Sequence, residues 1–161
     1  MIVVSDTSPI TNLIKIGRLN LLKEVFQRVI IPDKVRDELL EWKKIGADIT
    51  AFESAPWIET QTPADLSLVK GMLMHLDEGE AQAIVLAHEL KADYLLIDER
   101  RGWKQANDMG IRAIGLVGVL LQAKSLNIIP ALMPIVDDLR NVAGFWLSQD
   151  LYDRIKQITK E

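Results

Sequence analysis

The sequence predicts a three-layer α/β fold, with a central, mostly parallel sheet flanked by helices. Two observations carry that expectation. Short β-branched apolar runs alternate with helical patterns in a β-α-β rhythm along the whole chain. The run Tyr94-Leu95-Leu96-Ile97 has no polar alternation, as suits a strand covered on both faces. A length of 161 residues, 48% of them apolar, fits one domain over 1–161 with an ordinary buried core. The helices from about 130 to 160 are expected to pack on that domain.

The elements follow in order. Ile2-Val3-Val4 reads as the first strand, and Ser8-Pro9 as an N-cap followed by proline at the first helical position. That helix runs to about Gly17, a suitable residue just past a helix end. Leu19 to Phe26 is a second helical piece, Val29-Ile30-Ile31 a strand closed by Pro32, and Asp33 onward a helix with Val35, Leu39 and Trp42 on one face. Trp57 to Thr60 is a short strand, and Thr62 to His75 a connector turning helical. Gly79 to Ala87 is apolar nearly all round, which predicts a buried helix. Tyr94–Ile97 and Ile111–Ile114 are strands; Leu116–Lys124, Ala131–Val142 and Gln149–Ile158 are closing helices, the last docking by Leu151, Ile155 and Ile158.

Composition removes several chemistries. There is no cysteine, hence no disulfide, thiolate metal site or cysteine nucleophile, which fits a reducing cytoplasm. No apolar run reaches membrane-spanning length and MIVVSDTSP lacks signal-peptide features, so a soluble cytoplasmic protein with no membrane partner is expected. A net charge of −4 and a pI near 5.3 argue against passive electrostatic binding of nucleic acid. They are compatible with an acidic pocket in which a bound cation reverses the local field.

Open α/β sheets place their sites beyond the carboxyl ends of the strands. Asp6 and Asp98 follow two such ends, while Glu38 and Glu80 lie on flanking helices. Hard divalent cations take oxygen ligands and keep several waters, so a few converging carboxylates are enough for a site without histidine or cysteine. Each acid also has a structural explanation. Asp6 or Ser8 could cap the first helix, and Asp98 a helix near Glu99. Asp77 and Glu80 are spaced as a capping box, and Glu38 could lie on a solvated face. Spacing leaves both readings open.

The stretches VVSDTSPITNLIKIGRLNLL (3–22), IPDKVRDELL (31–40), LDEGEAQAIVLA (76–87), YLLIDERRGWKQANDMGI (94–111), IGLVGVLLQAKSLNII (114–129) and GFWLSQDLYDRI (144–155) together resemble PIN domains, in particular a prokaryotic VapC-like toxin subgroup. The resemblance implies a PIN-like fold and a Mg²⁺ or Mn²⁺ site. It carries the acidic positions onto Asp6, Glu38, Glu80 and Asp98, with Ser8 as a nearby hydroxyl and Glu99 as an auxiliary. By spacing, Asn12 lies one helical turn after Ser8 and is open to two readings, orienting Asp6 from behind or a plain exposed polar position on the first helix. The implied activity is endoribonuclease hydrolysis of single-stranded RNA by metal-activated water, leaving a 5′-phosphate and a 3′-hydroxyl. The implied partners are RNA, a cognate antitoxin and a second copy of the chain.

Trp103 stands after Gly102 where arginine is the family expectation, and is read as packing. RNA affinity must come from local cations, with Arg100, Arg101, Lys104 and Arg112 as candidates against a plain solvated helix face. His75 and His88 read as satisfied structural histidines, Met72 and Met74 as packing, and Phe145-Trp146 as aromatic core unless exposed for a dimer or antitoxin contact. Two rival functions remain. One is an aspartyl-phosphate enzyme using Asp6, which would want aspartate where Ser8 stands. The other is a catalytically degenerate PIN domain serving as a nucleic-acid-binding or regulatory module.

Overall fold

The computed structural model describes residues 1–161. Strands β1 (Val3–Ser5), β2 (Val29–Pro32), β3 (Ile58–Gln61), β4 (Tyr94–Leu96) and β5 (Ala113–Ile114) form one sheet in the order β3-β2-β1-β4-β5. All four pairings are parallel, so the sheet carries no antiparallel strand.

Successive strand residues point to opposite faces. Val3, Val29, Ile31 and Leu96 enter one buried cluster, while Val4, Ile30, Leu95 and Ile97 enter another. Two covers explain the absence of polar alternation in the strands. The first cluster is closed by α1 (Thr7–Lys15), α2 (Asn20–Phe26), α3 (Asp33–Lys44), α8 (Leu116–Ser125), α9 (Met133–Asn141) and α10 (Gln149–Thr159). The second is closed by α5 (Leu66–Met72), α6 (Glu78–Glu89) and α7 (Arg100–Asp108). Helix α6 is the buried one: Ala81, Ala83, Ile84, Val85, Leu86 and Ala87 are all inaccessible, on several sides of its axis. No helix is long and apolar enough to cross a membrane.

Several local expectations change. The first helix starts at Thr7, which makes Asp6 its N-cap residue by position and puts Pro9 inside the first turn. A short α4 (Thr50–Glu53) fills a stretch too brief to show a helical period. In α10 only Ile155 of the expected stripe is buried, whereas Leu151 and Ile158 are exposed; Tyr152 takes up the packing and donates to Asp137 at 2.7 Å. Met72 is core, but Met74 is exposed at the end of α5's turn. His75 and His88 are both exposed, the first in the turn between α5 and α6 and the second in the last turn of α6, so neither is a buried structural histidine.

The closing helices are tied by one carboxylate. Glu161 accepts from the backbone amides of Leu132 and Met133, both at 2.9 Å, at the start of α9, and from Lys124 of α8 at 2.7 Å. Burial pushes the Glu161 carboxyl up, but Lys124 and the two amides together outweigh it and hold it at about 2. A carboxylate whose pKa is depressed in the folded chain stabilises it above the unfolded value and loses that contribution as pH falls through the folded value. Glu161→Gln is therefore expected to lower the melting temperature at pH 7 by about 3 °C. The gap to wild type should close between pH 4.5 and about 2, as followed by circular dichroism melts.

Candidate functional site

The strand order reverses direction between β1 and β4, which opens a crevice at their carboxyl ends. Ser5 pairs with Leu96, and the Asp6 backbone N–H donates to the Leu96 carbonyl at 2.9 Å. Asp6 and Asp98 thus leave adjacent strands on the same side of the molecule. Helix α1 then packs over one face of the sheet and α7 over the other, so the crevice stays open between them. A cleft of about 890 Å³ results, lined by Asp6, Glu38, Asp77, Glu80, Asp98 and Glu99 among others.

Each acid reaches the cleft by its own route. Asp6 is only 6% exposed, and its side chain caps nothing. The Ser5 hydroxyl, fully buried, donates to the Asp6 carbonyl at 2.8 Å and holds the strand end below it. Glu38 points inward from α3, where its Oε2 accepts from the Thr7 hydroxyl. Glu80 stands on the first turn of α6. Its backbone N–H donates to Asp77 at 2.8 Å, but no reciprocal bond from its carboxylate completes a capping box; Oε2 is instead buried without a partner. Asp98 does not cap α7. Its Oδ1 accepts from the Leu116 amide at the start of α8, at 3.0 Å, and its Oδ2 is buried and unpartnered.

Three glycines make room for three of these carboxylates. A methyl group on Gly79 would sit 2.5 Å from Glu38 Oε1, one on Gly102 3.1 Å from Glu80 Oε2, and one on Gly115 2.8 Å from Asp98 Oδ1. None of the three has a positive φ, so the space is what requires glycine and not the backbone conformation. The resemblance had supplied the acids without these notches. Short-range close approach is a tertiary fact that linear spacing does not encode.

Crowding shows in the ionisation of the cluster. Burial pushes the Asp6 carboxyl up to about 7, with Asp77, Glu38 and Asp98 adding to the push and the Thr7 amide opposing it. Burial raises Asp98 to about 6 against the Leu116 amide. Glu38 is raised by burial, though its bond from Thr7 works the other way, and Glu80 is raised well above the carboxylate range by burial, Asp77 and Asp6. Lys15 is the one cation on the cleft wall.

Other expected residues divide. Ser8 and Asn12 line the cleft, and the hydroxyl that bonds a carboxylate of the group is that of Thr7. Asn12 makes no hydrogen bond to Asp6, so the proposed orienting contact is absent. Glu99 is on the wall and adds to the raised pKa of Glu80. Arg100 borders a smaller depression beside Asp98 and Trp103, and Lys104 reaches it while bonded to Asp108 at 3.1 Å. Arg101 opens onto another depression near His75, away from the acids. Arg112 lies over the Tyr94 ring at the opposite end of β4, so it is no part of this site. Trp103 packs against the second core cluster and also faces the cleft near Gly115. Trp146 is 80% exposed rather than core, because the segment after α9 turns it outward. Thr7 carries no signal in the sequence, and Asp77 shows only the N-cap spacing of a capping box, which is a structural signal.

Two unpartnered buried oxygens and four carboxyls with raised pKa values make a donor set suited to a hard cation. No three acids or histidines converge closely enough to grip a bare ion, so a cation here would keep part of its water shell. The sequence model of the PIN domain matches residues 2–161. The chain belongs to the PIN-domain family. PIN domains are generally nucleases and typically use divalent metals, and the five-stranded parallel sheet with helices on both faces is consistent with that fold. No curated protein matches the chain.

In this PIN domain the raised carboxyl values make the metal-free folded chain the stronger proton binder. Its stability therefore falls as pH rises from the unfolded carboxylate range near 4 through about 7, where Asp6 ionises. The Asp6 contribution is on the order of 4 kcal/mol at full ionisation. Asp6→Asn is expected to raise the melting temperature of the metal-free protein at pH 8 and leave it little changed at pH 4, as read by calorimetry in the presence of a chelator. A lower melting temperature at pH 8 would contradict the ionisation pattern.

Proposed function

We propose that this PIN domain is a metal-dependent endoribonuclease of the VapC-like kind, which hydrolyses phosphodiester bonds of single-stranded RNA and serves as the toxin of a type II toxin-antitoxin pair. The observation that carries the nuclease reading is the gathering of Asp6, Glu38, Glu80 and Asp98, from segments far apart in the chain, around one cleft with two oxygens left unpartnered. Structural capping accounts for neither of those oxygens.

In this reading Asp6 and Asp98 hold Mg²⁺ or Mn²⁺, with Glu80 and Glu38 contributing directly or through water. Such an ion, held by these carboxylates, would supply an activated water at neutral pH and would offset charge on the phosphate and leaving oxygen. The protein's own groups do the positioning. The Leu116 amide fixes one oxygen of Asp98 and leaves the other for a ligand. Thr7 fixes the rotamer of Glu38. Glu80, the most strongly raised of the group, is suited to hold a proton when the cleft is empty of cation and to release it when one enters. Glu99 and Asp77 at the rim extend the negative field that draws cations in. An antitoxin would silence the enzyme by placing a cationic side chain among the same carboxylates, and a second copy of the chain would complete the toxin form.

The rival reading, a degenerate binding module, predicts no metal-dependent turnover. Cleavage of a labelled unstructured RNA with Mg²⁺ or Mn²⁺ separates the two: wild type should cut, and Asp6→Asn and Asp98→Asn should each lose about 100-fold or more, the scale of losing electrostatic stabilisation at the reacting centre. Equal cleavage by all three proteins would overturn the site. Growth arrest on expression, relieved by either substitution, tests the toxin role.

Gly79→Ala gives an independent check. The added methyl meets the movable end of Glu38, so the fold should melt within about 2 °C of wild type. Activity should nonetheless fall roughly tenfold, about 1.4 kcal/mol of transition-state stabilisation, because Glu38 is displaced. Full activity would remove Glu38 from the machinery.

A further inference from the structure

The cleft lining has two unlike parts. One is the carboxylates; the other is the segment between α9 and α10, where Phe145, Trp146 and Leu147 line it. This segment is extended and anchored on both sides of its exposed ring. Gly144, at φ +71°, makes the turn, and the Phe145 N–H donates to the Leu139 carbonyl at 2.8 Å. Phe145 packs on the larger core cluster and Leu147 is buried in it. Trp146, between them, is thrown outward and left 80% exposed. An indole set between a half-buried and a buried neighbour lines the cleft with its apolar surface.

Charge narrows what such a surface can receive. Lys15 is the one cation on the cleft wall, against six acids, so the side chains there supply little attraction for a phosphate backbone. An uncharged, flat partner is what the second part suits. Bases stack on aromatic rings regardless of sequence, provided that their faces are free, and the faces of paired bases inside a duplex are not.

We infer that Trp146 is a stacking platform for an unpaired nucleobase of the strand whose phosphodiester lies at the carboxylates, and that it makes the cleft selective for single-stranded nucleic acid. This rests on the nuclease reading for the position of the phosphodiester and extends it to how the strand is held. Trp146 is a binding and specificity residue here, without a part in the chemical step.

The test measures binding of a fluorescently labelled eight-nucleotide single strand with hydrolysis-resistant phosphorothioate linkages, in Mn²⁺, by anisotropy. The same strand is compared as a duplex. Wild type should prefer the single strand; Trp146→Ala should weaken it by about 5- to 150-fold, the range expected for one base–aromatic stack. Trp146→Phe should stay within about threefold of wild type, and on a cleavable RNA Trp146→Ala should raise KM while kcat changes little. Equal affinity of wild type and Trp146→Ala overturns the inference, as does equal affinity for the duplex. So does a Trp146→Ala protein that changes from dimer to monomer in sedimentation with unaltered strand affinity, which would assign the ring to a second copy. The two readings fail separately. Asp6-dependent cleavage with no effect at Trp146 sinks the platform alone, whereas Trp146-dependent strand binding with Asp6-independent cleavage sinks the nuclease site alone.

Discussion

The parallel pairing of β1 with β4 sets the rest of the structure. It joins residues some ninety positions apart in sequence at the register Ser5 to Leu96 and extends one hydrogen bond further, from Asp6 N–H to the Leu96 carbonyl. At that seam the connections diverge, one helix passing over each face, and a crevice opens where no side chain can close it. Slip β1 by one residue against β4 and its side chains change faces, Val3 leaving one core and Val4 the other. The hydrophobic covers on both faces therefore hold the register, and the register holds the acids.

The acids in turn oppose the fold that gathers them. Burying carboxylates side by side is costly unless they are neutralised, and the raised values of Asp6, Glu80 and Asp98 are the signature of that cost. The surrounding protein offsets only part of it: one amide for Asp98, one hydroxyl for Glu38, and none for the far oxygens of Asp98 and Glu80. Elsewhere the chain behaves conventionally, with acids at exposed ion pairs such as Arg28–Glu59 and Lys43–Glu53. The imbalance is local to the crevice, which is where a function that needs a cation would put it.

Much of the architecture is legible in the sequence. The strands around Val29 and Tyr94 and the helix from Gly79 are continuous apolar runs whose length and periodicity leave few alternatives. Asp6 and Asp98 were readable for a positional reason: each follows such a run. What lay beyond reach was anything decided across elements. That Thr7 and not Ser8 meets Glu38 depends on the angle at which α1 crosses α3. The notches at Gly79, Gly102 and Gly115 exist only between packed neighbours. Arg112 is a candidate cation by charge alone, but it lies over Tyr94, one strand's length from the end of β4 that Asp98 follows. Aromatic side chains default to the core, but Trp146 turns outward between half-buried Phe145 and buried Leu147.

The order in which these parts leave the ribosome has a bearing on when the protein becomes active. Asp6 emerges first, but its partner strand lies ninety residues later, and the amide that holds Asp98 belongs to Leu116. A nascent chain shorter than that possesses some of the carboxylates and none of the cleft. For a protein whose proposed substrate surrounds it during its own synthesis, assembling the site from segments so far apart delays competence until the chain has passed Leu116.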